Sequence, residues 1–115
     1  MVSKFETLSK HVFYKIVVIS LLLSLTGCAK LIMVDNLENA HESFNSQSYD
    51  EALVHIRKAE HFNKLNTEIR AELIYIKARS YEALGYERES NALYQHLISE
   101  HKTSQYSSLA QLRAK

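Results

Sequence analysis

The chain has 115 residues, enough for one small domain, and is near neutral, with 14 Lys and Arg against 13 Asp and Glu. That balance argues against a nucleic-acid binder, whose contact face carries a basic excess. Two Gly and no Pro point to helices with short connections, because strand-rich folds use both residues in their turns. The single Cys excludes an internal disulfide and a multi-cysteine zinc site.

The first 27 residues differ from the rest. Before Cys28 stand three lysines and one glutamate; from Cys28 onward there are 11 basic and 12 acidic residues. Lys4, Lys10, His11 and Lys15 form a basic n-region. Residues 16–25, IVVISLLLSL, form an apolar h-region, and the small residues Thr26 and Gly27 precede the cysteine. This is the order of a secretory signal peptide. The apolar run is too short to span a bilayer, which needs about 20 such residues. Leu25, Thr26, Gly27 and Cys28 resemble the lipobox of bacterial lipoproteins. The resemblance implies a diacylglycerol thioether on Cys28, cleavage before it, and acylation of the new N-terminus, since two or three chains hold stably where one does not. Ala29, where an aspartate would imply inner-membrane retention, implies the periplasmic face of the outer membrane. The competing readings are a buried core cysteine and an uncleaved inner-membrane anchor.

Residues 28–35 read as a lipidated tether; from Ala29 it reaches at most roughly 23 Å. Leu31, Ile32, Met33 and Val34 either join the first helix or lie against headgroups. From there the apolar spacing is helical. The first helix is expected over 36–46, with Leu37, Ala40 and Phe44 on one stripe and Asp35 and Glu38 as a capping box. The second is expected over 49–63, opened by a capping box of Ser48 and Glu51, with Ala52, Ile56, Ala59 and Phe62 buried. The third, over 67–84, starts at Asn66 or Thr67 and buries Leu73, Ile74, Ala78, Tyr81 and Leu84; Gly85 supplies the left-handed residue that ends it. The fourth covers 86–101 with Leu93, Tyr94, Leu97 and Ile98. A short last helix carries Tyr106, Leu109 and Leu112.

An internal repeat appears at 38 residues, pairing Ala40 with Ala78, Ala52 with Ser90, Ile56 with Tyr94 and Ala59 with Leu97. Ala40, Tyr49, Ala52, Ile56 and Ala59, then Ile74, Ala78, Tyr81, Gly85, Ser90, Tyr94 and Leu97, resemble the tetratricopeptide repeat. Asn36 and Asn39, Lys77 and Lys64 depart from its pattern. The resemblance implies an all-α domain over 36–115: two tetratricopeptide-like hairpins, about 36–65 and 70–101, plus a capping helix over 104–115, a right-handed α-solenoid fragment. It also implies a protein or peptide partner on a concave face. That face takes Leu37, His41, Phe44 and Asn45 from the first unit and Glu72, Tyr75, Arg79, Glu82 and Ala83 from the second. Leu37, His41, Phe44, Tyr75, Arg79 and Glu82 are the candidate partner-binding residues. Leu37 and Tyr75 replace the basic residues with which some relatives clamp a C-terminal carboxylate. Leu37 and Phe44 also read as core packing, because stripe positions face the core.

No catalytic, cofactor or metal site is read from the sequence. His41, His55, His61, His96 and His101 form no His-Glu-x-x-His pair and read as surface residues. Asp50, Glu51, Glu87 and Glu89 read as helix-start acids. Two hairpins fall short of the three units a stacked array needs. The expectation is therefore a face covered by a partner or a second copy. The function expected is an outer-membrane-anchored interaction scaffold. The alternatives are a small periplasmic enzyme or ligand-binding lipoprotein and an inner-membrane helical adaptor.

Overall fold

With no proline in the chain and left-handed backbone at only two described residues, Gln47 and Gly85, helices form wherever apolar side chains recur at helical spacing. The computed structural model describes residues 2–62 and 64–115, and the side chains of 6–21, 30–62 and 64–115. Among these the fold is all-α. The elements are α1 (Val2–Asn45), α2 (Tyr49–Glu60), α3 (Thr67–Ala83), α4 (Glu87–Glu100) and α5 (Gln105–Gln111). The chain separates into two units, Met1–Leu31 and Ile32–Lys115.

The first unit is helical at each described residue. Leu8, Val12, Phe13, Tyr14, Ile16 and Leu21 are all exposed on it. No helix among the described residues is long and apolar enough to cross a membrane. The side chains of Leu25, Thr26, Gly27, Cys28 and Ala29 lie outside the described residues.

The second unit is built of helical hairpins, α1 with α2 and α3 with α4, closed by α5. Each hairpin turn uses the same backbone device. After α1, Gln47 sits at φ +63°, its N–H bonds to the Phe44 carbonyl at 3.0 Å, and the Ser48 N–H bonds to the Ser43 carbonyl at 2.8 Å. After α3, Gly85 sits at φ +84°, with matching bonds from Gly85 to Glu82 at 3.1 Å and from Tyr86 to Tyr81 at 2.9 Å. These are Schellman motifs, which satisfy the last carbonyls of a helix and reverse the chain. The residues that begin the returning helices agree as well: Ser48 at φ −85°, ψ 66° and Tyr86 at φ −85°, ψ 67°. The two turns lie 38 residues apart, the spacing of the sequence repeat.

Helix α3 packs on α2, α4 and α5, and its buried residues serve two cores. Leu73 and Ile76 join Ala40, Ile56 and Ala59 in one. Ala71, Ile74 and Ala78 join Tyr94, Leu97 and Ala110 in the other. Ala40, Ala52, Ala59 and Ala78 are fully buried, so these helices approach at positions with only a methyl group between them.

Several local expectations are corrected. Helix α1 does not begin at 36. Nothing between Lys30 and Asn45 breaks a helix, so Asp35 lies inside α1 and caps nothing; its carboxylate accepts from Asn39, one turn on, at 3.3 Å. Ser48 occupies the N-cap of α2 without a side-chain capping bond, because its backbone is already committed to the preceding turn. Asn66 does cap α3, accepting from the Ile69 N–H at 2.8 Å. Tyr81 and Leu84 are half-buried, whereas Ile76 and Ser80 are buried. Helix α5 buries Ser107 and Ala110 and leaves Leu109 exposed, and Leu112, just after the helix, is exposed as well.

Candidate interaction surface

Residues three or four apart share one side of a helix. Leu37, His41 and Phe44 do so on α1, and Glu72, Tyr75, Arg79 and Glu82 on α3. The second unit brings these two rows together and adds a third from the C-terminal segment. The His41 ring nitrogen Nε2 lies 2.7 Å from Glu72 Oε1. The Arg79 guanidinium sits 5.4 Å from the Phe44 ring centre and 6.0 Å from that of Tyr75. Tyr75 packs on Tyr106 of α5 at 5.6 Å and on Tyr94 of α4 at 6.2 Å. Leu37 and Phe44 are partly buried and also pack against the α1–α2–α3 core.

Glu82 is the hub of the charged groups. Its Oε2 accepts from the Tyr94 hydroxyl at 2.9 Å and from Arg113 Nη1 at 2.8 Å, and lies 3.7 Å from Arg79 Nε. Burial, reinforced by the hydrogen bond and charge of Glu82, pushes the Tyr94 hydroxyl well above its ordinary titration range. Burial also pushes Tyr106 up, to about 12, and the charge and hydrogen bond of Glu72 add to it. Around Arg113, burial opposes the charge. The hydrogen bond to Tyr75 and the carboxylate of Glu82 outweigh it, and the guanidinium holds its proton more tightly than usual. The surface therefore carries neutral phenols, an aromatic row and charges that are already paired. It offers ring faces and preset hydrogen bonds.

Contacts thus join Phe44, Tyr75, Arg79 and Glu82, and join His41 to Glu72, whereas Leu37 lies one turn before His41 on α1 and packs on the core. Glu72 and Ala83 lie on α3 as expected; Asn45 and Ala83 are exposed. The sequence reading missed Tyr106 and Arg113. Their signal was present only as an aromatic and a cation at the ends of a short amphipathic segment. Arg113 meets Glu82 across 31 residues of chain, a pairing that no local spacing announces.

The histidines divide. His41 is paired and His61 Nδ1 bonds to the Arg57 carbonyl at 2.7 Å. His101 is not a surface residue: it is 8% exposed, its ring packs on His96 at 5.7 Å, and it ends α4 where the chain turns under α5. Among the described residues no group of three or more His, Cys, Asp or Glu side chains is placed to hold a metal. A separate cleft of about 230 Å³ is lined by Glu60, Arg70 and His96 with Leu65, Leu73 and Ile74. Glu60 is already engaged there, with both oxygens 3.1 Å from Lys77 Nζ. Comparison with family models, curated proteins and solved structures gives no match for this chain.

Proposed function

We propose that the chain is a lipoprotein whose helical domain is an interaction scaffold held at a membrane through Cys28. The lipobox-like Leu25, Thr26, Gly27 and Cys28, behind a basic and then an apolar segment, support the anchor, and Ala29 supports the outer membrane. The matching turns at Gln47 and Gly85, with alanines at equivalent packing positions, support a tetratricopeptide-like, right-handed arrangement in which α1, α3 and α5 supply the concave side. The observation that carries the binding role is the row of Phe44, Tyr75, Arg79 and Tyr106 across those three helices. Aromatic and Arg side chains are the residue types that most often anchor protein interfaces. Paired charges around them keep the row in place before a partner arrives, which reduces the ordering cost of binding. The cleft at Glu60 is a poorer candidate for chemistry, since its carboxylate is neutralised by Lys77.

Two measurements test this reading. The mass of the N-terminal peptide of the mature protein should exceed that of the unmodified peptide from Cys28, and Cys28→Ser should release the chain from the membrane fraction. A photo-crosslinking residue at position 75 or 79 should give a discrete protein adduct in intact envelopes, absent when it is placed at exposed Glu89. An unmodified peptide sinks the anchor; equal adducts at 75, 79 and 89 sink the binding face.

A further inference from the structure

The side chains at one end of the first hairpin form a second surface. Ile32, at the start of the second unit, is 53% exposed. With Asn36, Arg57, Lys58, His61 and Phe62 it lines an open cleft between the beginning of that unit and the end of α2. Asn36 is buried beneath it, its amide donating to the Ile32 carbonyl at 2.8 Å. The rim is basic and the floor is apolar. Arg57, Lys58 and His61 are exposed, and neither Arg57 nor Lys58 has an ion-pair partner among the described residues. Of the nearest acids along these helices, Glu60 is paired with Lys77, and Asp35 accepts from the neutral amide of Asn39. The charge is polarised along α2, which has Asp50 and Glu51 in its first turn and Arg57 and Lys58 in its last. Basic side chains at a helix C-terminus offset its dipole, but that role requires neither exposed Ile32 nor Phe62 beside them.

We infer that this cleft is a docking surface for the headgroups of an anionic bilayer, seating the domain on its own membrane with the basic end of α2 down. The inference rests on the lipid anchor proposed above. Three residues separate Ile32 from Cys28, and the four steps of chain reach roughly 14 Å even fully extended. A lipid on Cys28 therefore holds this end of the hairpin within reach of the headgroups. Basic side chains draw such a surface toward anionic lipid, and the apolar residues among them enter the interface. Docked in this way, the acidic end of α2 points away from the bilayer, as do the hairpin turns at Gln47 and Gly85.

The test uses the full lipidated protein reconstituted into phosphatidylcholine vesicles with or without phosphatidylglycerol. Flotation and the mass of the Cys28 peptide report the anchor, and hydrogen exchange of the α2 end reports docking. Amides near 57–62 should be protected at least about fivefold more on anionic vesicles, the effect on the order of one basic residue at such a surface. High salt, or R57E combined with K58E, should abolish that increase while flotation is unchanged. Equal protection on both vesicle types, with flotation intact, overturns the docking surface and leaves the anchor standing. Protection that needs envelope proteins and fails on protein-free vesicles overturns it in favour of a protein partner. A chain that does not float and carries an unmodified cysteine overturns both readings.

Discussion

Tyr94 and Glu82 illustrate how one side chain is given its task by its neighbours. The phenol is buried in the core, yet its hydroxyl reaches the carboxylate that also receives Arg113. Tyr94→Phe removes one charge-assisted hydrogen bond while leaving Glu82 its arginine. We expect a loss of about 1–2 kcal/mol in urea unfolding. Tyr106 gives a pH signature. Its folded value is near 12 against an ordinary 10.0. Between those values the unfolded chain has lost the proton and the folded chain keeps it, so stability falls as the pH rises through that window and is fully present below it. Urea midpoints near pH 8 and pH 11 should diverge in the wild type, and Tyr106→Phe should narrow the gap. A gap unchanged by that substitution would assign the alkaline loss to another group.

At the level of elements, the two hairpin turns form a matched pair with different residues at the left-handed position. Gln47 bears the steric cost of a side chain at φ +63°, whereas Gly85 does not. Gln47→Gly should stabilise the domain by about 0.5–1 kcal/mol, relief of strain exceeding the added freedom of the unfolded chain. Gly85→Ala should cost about 1 kcal/mol, and only through the backbone, because nothing lies within 4 Å of the added methyl. Thermal melts of both variants check the opposite signs. Much of this level was legible in the sequence. Ala52, Ile56 and Ala59 recur at helical spacing because α2 buries a single stripe. Helix α3 was harder to read: it is covered on several sides, so apolar and small residues such as Ile76 and Ser80 leave no single stripe. The Ser48 box failed for another reason, since a residue that completes one turn has no freedom to cap the next helix.

For the second unit as a whole, α3 contributes to both cores and so should couple them. Leu73 and Ile76 belong to one cluster and Ile74 and Ala78 to the other, on the same 17-residue helix. Leu97→Ala, in the cluster away from α2, should cost about 2–5 kcal/mol. Hydrogen exchange in α2 should accelerate along with that in α4, and retained protection in α2 would show two independent folding units. The candidate surface was partly readable at this scale: the repeat resemblance placed Leu37, His41 and Phe44 on one helix face and Tyr75, Arg79 and Glu82 on another, and Arg79 meets both Phe44 and Tyr75. The closing row from the C-terminal segment was not, because Tyr106 and Arg113 meet Tyr75 and Glu82 only when the chain folds back. One further feature acts on the life of the molecule. Helix α1 runs through Asp35 without a stop. If the chain is cut before Cys28 as proposed, the cut falls within a helix. The next four amides lose their acceptors and the new end lacks a capping side chain. The signal peptidase would then do more than release a leader: it would fray the first turn behind the lipid.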